Sequence, residues 1–282
     1  MADSLATRIR RFYDQSSPLW LQDSGAHMHH GSYGPDGTEQ KENQQAQQDL
    51  IDELLQWGQV HLPTQILDAG CGVGGSARYL ARRYGARVLG VTLSPVQAER
   101  GAQYNAEAGL ADQVTIQARD VYDLTPADGP FDLIYSMESA EHMPDKAALL
   151  AHFYQLLRPG GQLVMATWCH RDVAERPLDA AEQQQLEKIY RMYHLPPMIS
   201  IPQYVQLARQ TGFADVATDD WSAAVAPFWG AVIRSALSWR SLIGLLKAGP
   251  GTLRGAWAMQ YMQSGFRSGL IRFGVFRATR PQ

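Results

Sequence analysis

The sequence predicts an α/β fold built on a seven-stranded, mostly parallel sheet, and three observations predict it. Short apolar runs alternate with helix-period stretches from residue 65 onward, the first of these runs ends in a glycine-rich turn that opens a helix, and Pro and Gly punctuate the helix ends. Apolar strands separated by helical stretches are what a parallel sheet covered on both faces requires. A chain of 282 residues has ample length to bury such a core.

Residues 3–15 read as a short helix and 23–37 as a loop rich in Gly and His. A longer amphipathic helix follows over 38–57, with Thr38 as N-cap and Ala46, Leu50, Ile51, Leu54 and Leu55 on one face. Residues 1–60 therefore read as a helical cap and lid, and 61–282 as the main domain. Strands are expected at 65–69, 87–92, 113–118, 131–137 and 162–168, with helices near 75–84, 95–108 and 145–157. Ser94-Pro95 and Met143-Pro144 place Pro near helix starts, and Pro159-Gly160-Gly161 stops a helix. After Trp168 the rhythm breaks: 179–193 and 200–211 look helical, 213–219 a strand, 227–265 a Trp- and Met-rich helical insertion, and 271–279 a last strand.

Hydrophobic content of 45% with 19% charged residues excludes a disordered chain. Two isolated cysteines, Cys71 and Cys169, support neither a disulfide framework nor a cysteine zinc site, which makes a reducing compartment the default. The net charge of −3 hides an asymmetry: residues 221–282 carry eight basic side chains and no acid, leaving −11 on residues 1–220. Such a basic end can meet nucleic acid, a membrane surface or the chain's own acidic half, and the intramolecular reading ranks first. No secretory h-region and no membrane-length apolar run are present, so a cytoplasmic protein, peripheral to membranes at most, is expected.

The sharpest local signal is Asp68-Ala-Gly70-Cys-Gly72-Val-Gly74-Gly75 between a strand and a helix. Gly70, Gly72 and Gly75 satisfy the dinucleotide fingerprint, so a nicotinamide oxidoreductase is the competing reading. Asp68 argues against it, because a carboxylate at the strand's carboxyl end repels a pyrophosphate but attracts the amino and sulfonium charges of S-adenosylmethionine. The second strand ends in Thr92, not an acid, and Gln97 can hydrogen-bond a ribose diol. Asp120, before Val121, taken alone reads equally as an ordinary turn residue, but together with Asp68 and the glycine turn it reads as a partner for an adenine amine.

The string Ile66-Leu-Asp-Ala-Gly-Cys-Gly-Val-Gly-Gly resembles the donor motif of class I S-adenosylmethionine-dependent methyltransferases. Elsewhere along the chain stand Phe12-Tyr-Asp-Gln-Ser-Ser, His27-Met-His-His-Gly, Thr92-Leu-Ser-Pro-Val-Gln-Ala-Glu-Arg, Ser136-Met-Glu-Ser-Ala-Glu-His-Met-Pro-Asp, Thr167-Trp-Cys-His-Arg and Asp220-Trp-Ser-Ala-Ala-Val-Ala-Pro-Phe-Trp. In these strings the chain more narrowly resembles the gamma-tocopherol C-methyltransferases of plants and cyanobacteria. The resemblance implies a Rossmann-like class I methyltransferase fold and a donor site of Asp68, Gly70, Gly72, Gly74, Thr92, Gln97, Asp120, Val121, Ser136 and Tyr33. It also implies a hydrophobic small-molecule acceptor and release of S-adenosylhomocysteine. Relatives that N-methylate indole alkaloids keep an amine acceptor as the alternative, and residues 19–26 depart from the acidic, Trp-rich stretch usual in the tocopherol enzymes. The lack of a long plastid-type leader suggests a bacterial or processed chain.

Aromatic C-methylation needs a base or hydrogen-bond acceptor at the phenol, whereas an amine needs only its neutral form. His142 is the first candidate for that base, with Glu141 beside it and His170 second. His29 belongs near donor or acceptor by resemblance. His27, His29 and His30 cannot all point inward from one extended strand, so no metal site is expected. Trp168, Trp221, Trp229, Met259 and Met262 are candidate walls of an acceptor pocket. A non-enzymatic donor-binding module is a third reading. The basic, amphipathic character of 227–265 points to weak peripheral contact with anionic membranes, and no nucleic-acid partner is expected.

Overall fold

The computed structural model describes residues 4–24, 27–174, 176–230 and 250–282. Helix α1 (Leu5–Ser24) and helix α2 (Asn43–Trp57) precede the sheet. Strand β1 (Gln65–Ala69), α3 (Gly75–Tyr84), β2 (Arg87–Thr92), α4 (Pro95–Glu107), β3 (Val114–Ala118), β4 (Phe131–Met137), α5 (Lys146–Leu156) and β5 (Leu157–His170) form the alternating half. Then come α6 (Ala180–Tyr193), α7 (Ile201–Thr211), β6 (Ala214–Asp220), the short α8 (Ser222–Val225), α9 (Pro250–Ser268) and β7 (Ile271–Thr279).

The seven strands lie in the order β3-β2-β1-β4-β5-β7-β6, parallel except for β7, which runs antiparallel to both neighbours. Strand β1 is central, so successive residues feed opposite cores. Ile66 packs with Leu50, Leu54, Leu80 and Leu133 on the face covered by α2 and α3, while Leu67 packs with Leu149, Phe153 and Met165 on the face covered by α5 and α7. The chain reverses its winding between β1 and β4, and the carboxyl ends of those strands open a crevice there.

Three expectations are corrected. Thr38 does not cap α2, which starts at Asn43 behind Glu42; Thr38 instead gives its backbone N–H and hydroxyl to Asp36 Oδ1, closing a tight turn. Helix α1 does not stop before Ser16-Ser17-Pro18 but runs on to Ser24, because one Pro removes a single N–H donor from a helix already nucleated. Strand β5 reaches from Leu157 to His170, longer at both ends than its apolar run, because Phe131 of β4 pairs opposite Leu157 at one end and β7 pairs with it out to Ile271 opposite His170 at the other. Of the expected insertion 227–265, residues 231–249 lie outside the described residues; its end forms α9, which packs on α6, where Gln185 Nε2 donates to the Tyr261 carbonyl at 2.9 Å.

Candidate active site

The crevice at the carboxyl edge of β1, β2 and β4 is a cleft of about 840 Å³, partly open to solvent, with α1 lying across it. At the end of β1 the glycine turn takes left-handed backbone at Gly70 (φ 86°), Gly72 (φ 54°) and Gly74 (φ 78°). Gly70 and Cys71 both give their N–H to the Val91 carbonyl at 3.0 Å, which pins the turn to β2. A Cβ on Gly70 would fall 2.2 Å from Ser139 Cβ, so only Gly lets β1 and the loop after β4 approach this closely.

Asp68 is 2% exposed beneath this turn, and its Oδ2 has no partner among the described residues. Burial pushes its carboxyl up to about 7, against the Ala77 N–H and the Arg78 charge, which favour ionisation. A buried carboxylate with a vacant lone pair on a cleft wall suits a cation.

On the β2 side, Thr92 Oγ1 donates to Gln97 Oε1 at 2.6 Å, and Ser94 Oγ accepts the Gln97 N–H at 3.1 Å as the N-cap of α4. This holds the Gln97 amide at the cleft, with Met28 Sδ 3.6 Å from its Nε2. Ser94 also donates to Asp14 of α1, tying the covering helix to β2.

After β4, Glu138 takes left-handed backbone (φ 50°), unusual for a residue with a side chain. Its carboxylate accepts three bonds: the His30 N–H at 2.6 Å, His30 Nδ1 at 2.7 Å and Trp168 Nε1 at 3.0 Å. Burial alone would raise this carboxyl, but His30 outweighs burial and holds it below the usual range. His142 lies on the next turn with Nε2 2.8 Å from Tyr13 Oη, and burial holds it neutral with its value down near 3. His29 Nδ1 donates to the His30 carbonyl at 2.7 Å, which leaves Nε2 to accept from His27 Nδ1 at 3.2 Å.

The chain is 43% identical, over 97% of its length and 78% of the relative's, to the probable chloroplastic tocopherol O-methyltransferase of Oryza sativa subsp. japonica. It is 41% identical to the chloroplastic tocopherol O-methyltransferase of Arabidopsis thaliana, over 99% of this chain and 83% of that one. The chain belongs to the tocopherol methyltransferase family. Residues 66–161 of this methyltransferase match the family model described as a methyltransferase domain. Its fold is that of a mycolic acid cyclopropane synthase solved with SAH and CTAB (TM-score 0.83, 20% identity, 99% of each chain) and of geranyl diphosphate C-methyltransferase from Streptomyces coelicolor A3(2) (TM-score 0.77, 22% identity, 99% of this chain and 98% of that one).

The enzyme is an S-adenosylmethionine-dependent methyltransferase, and its residues fit that donor. The unpartnered Asp68 oxygen suits a cationic group, and the Gln97 amide, steered by Thr92, suits a polar nucleoside edge. Of the expected site residues, Asp68, Gly70, Gly72, Thr92, Gln97, His29 and His142 line the cleft. Gly74 sits one layer back as the N-cap of α3. Ser136 is fully buried behind Ser139, their hydroxyls 2.8 Å apart, and Ser139 is the one that lines the cleft. Asp120 and Val121 stand at the end of β3 outside the lining, where Asp120 Oδ1 accepts the Tyr122 N–H at 3.1 Å and caps a 3₁₀ turn.

Tyr33 lies in the core with its hydroxyl on Asn43 Oδ1 at 2.9 Å. Glu141 turns away from the cleft and accepts the Thr167 hydroxyl at 2.8 Å; burial and the Glu138 charge push it up to about 8. His170 donates Nδ1–H to the Arg171 carbonyl at 2.6 Å on the far end of β5. Trp168 and Trp229 do pack together, 6.1 Å between ring centroids, whereas Trp221 packs on Trp57.

Sequence reasoning missed Ile9, Tyr13, Met28, Ser94, Ser139 and Met143 as cleft residues and gave Glu138 no role. The reading of residues 1–60 as a cap and lid named no residue of α1 that enters the cleft. The left-handed Glu138 backbone has no signature in a Glu codon position, since Gly or Asn would be the usual mark of such a residue.

Proposed function

We propose that this methyltransferase moves the methyl group of S-adenosylmethionine onto a ring carbon of a prenylated phenol of the gamma-tocopherol type. The observation that carries this reading is an aromatic shell beside the donor cleft. His30, held by Glu138, is surrounded by Phe228, Phe273, Trp229, Phe266 and Trp168 at ring-centroid distances between 4.5 and 5.8 Å. Aromatic side chains gathered in this way suit the neighbourhood of a flat, apolar ring carrying few polar groups. A further relative, 34% identical over 96% of this chain and 87% of its own, is the 2-methyl-6-phytyl-1,4-hydroquinone methyltransferase of Synechocystis.

The chain's own residues then divide the work. Asp68 binds positive charge and Gln97 orients the nucleoside; Glu138 fixes the ring of His30; α1, through Tyr13 and Asp14, closes the cleft against water. Bringing two reactants together in one dry cleft supplies much of the rate of an in-line displacement.

Incubation with labelled donor and a panel of tocopherols, prenylated quinols and indole amines tests the reading, with the methylated atom located by NMR. Label on a ring carbon of the phenols supports it; label on the phenolic oxygen or on an amine nitrogen only would overturn it. The amine outcome has its own support, since the chain is 29% identical over 94% of its length to norajmaline N-methyltransferase of Rauvolfia serpentina.

An acceptor of this kind resides in membranes, and residues 221–282 are basic without a single acid. No helix among the described residues is long and apolar enough to cross a membrane. We therefore read the enzyme as a weak peripheral binder of anionic bilayers, each surface-facing basic residue contributing about 1 kcal/mol. Co-sedimentation with anionic and neutral vesicles across a salt series checks this; equal binding to both at low salt would refute it.

A further inference from the structure

His30 and Trp229 are 1% and 2% exposed, and each has a polar atom with no partner among the described residues: Nε2 of His30 and Nε1 of Trp229. Their rings stand edge to face, 5.1 Å between centroids and 75° between planes. The two atoms have opposite chemistry. An ionised carboxylate only accepts, so His30 Nδ1, 2.7 Å from Glu138 Oε2, carries the proton, and in the neutral ring Nε2 is a bare lone pair. The indole nitrogen only donates. Four further aromatic rings pack around His30: Phe228, Phe266, Phe273 and Trp168. Two buried, unmatched polar atoms in an apolar shell are costly unless a ligand satisfies them.

A donor and an acceptor on rings 5.1 Å apart match a hydroxyl, which has one proton to give and lone pairs to receive. We propose that His30 Nε2 and Trp229 Nε1 are the binding site of the acceptor's phenolic hydroxyl, the O–H donating to His30 and the oxygen accepting from Trp229. This rests on the phenol reading and adds to it the residues that recognise the phenol. The pair adjoins two cavities through its neighbours: Glu138, bonded to His30, lines the donor cleft, while Phe266, packed on His30, lines a second cavity with Pro227 and Arg267. The pair also selects against an amine, because an amine nucleophile must keep its lone pair free for the methyl carbon and has none to accept the Trp229 N–H.

The step balances. As the ring carbon bonds the methyl carbon, the bond from methyl to sulfur breaks and its electron pair stays on sulfur. The phenolic proton passes to His30 Nε2, and the resulting imidazolium is held against the Glu138 carboxylate. The oxygen becomes a carbonyl that the Trp229 N–H polarises. Loss of the proton on the methylated carbon to solvent restores the aromatic ring, and His30 returns its proton to the oxygen, so one proton is released overall.

The test compares gamma-tocopherol with its O-methyl ether, both in detergent micelles, binding to enzyme saturated with S-adenosylhomocysteine. Wild type is expected to prefer the phenol by about tenfold or more, and Trp229→Phe, which keeps an aromatic ring and deletes one donor, to lose about tenfold of that preference. S-adenosylhomocysteine affinity stays unchanged in Trp229→Phe. His30→Ala is expected to lower kcat by about 100-fold or more, as loss of a general base does. If His30→Ala fails to fold, Trp229→Phe decides alone. Wild-type phenol preference retained in Trp229→Phe would overturn the site. A wild type that methylates amines and no phenol would overturn the acceptor reading instead; there, a phenol preference in binding that Trp229→Phe abolishes still supports the hydroxyl site, and no such preference overturns it.

Discussion

Tyr13 Oη lies 2.8 Å from Nε2 of His142, joining the covering helix α1 to the turn after β4 across 129 positions of sequence. The ring centroids are 5.5 Å apart in an edge-to-face contact, and burial drives the Tyr13 phenol far above its usual range. This bond, with Asp14 on Ser94, is what closes α1 over the donor cleft.

Tyr13→Phe should therefore loosen the lid and leave the cleft walls intact. Loss of one buried hydrogen bond, about 1 kcal/mol, should weaken S-adenosylhomocysteine about fivefold and speed its release. Calorimetry and stopped-flow release measure the two; a variant with wild-type affinity and release rate would show that α1 is held by other contacts.

The elevated Asp68 value gives donor binding a pH dependence of known sign. A carboxyl raised to about 7 in the folded protein is mostly protonated at pH 6 and mostly ionised at pH 8. The free protein accordingly loses stability as pH rises from the ordinary carboxyl range through 7, while a cationic ligand gains affinity over the upper part of that window. S-adenosylhomocysteine should bind about tenfold tighter at pH 8 than at pH 6, and Asp68→Asn should bind weakly with no such slope. A flat profile in wild type would rule out Asp68 as the charged partner.

Gly70→Ala meets two penalties at once, a left-handed backbone at φ 86° and a Cβ 2.2 Å from that of Ser139. The expected cost is about 1–3 kcal/mol with loss of ligand-induced thermal stabilisation. Thermal melts with and without S-adenosylhomocysteine read both; a variant that melts and shifts like wild type would mean the turn relaxes freely.

Glu138→Gln removes the charge that fixes His30 while keeping the side chain's size. With the His30 ring no longer held by a carboxylate, kcat should fall by about 100-fold, within the range that acid–base groups supply, and donor affinity should change little. An unaltered kcat would separate Glu138 from catalysis.

The sequence by itself determined the architecture and the glycine-turn end of the cleft. Apolar runs of strand length, the Pro and Gly at helix ends, and the string from Asp68 to Gly75 are local features, so their spacing already carried seven strands, a glycine turn and a carboxylate beneath it. Only the tertiary structure decided the rest. His30 meets Glu138 across 108 positions, and Tyr13 meets His142 across 129, contacts for which no period or motif exists. Burial did the sorting among similar residues. Glu138 and Glu141 are three apart on one loop, yet a left-handed backbone at Glu138 aims the first carboxylate at His30, while the second turns inward to Thr167. The same holds for the histidines: His142 lines the cleft from the turn after β4, whereas His170, paired opposite Ile271 of β7, spends its Nδ1–H on the Arg171 carbonyl.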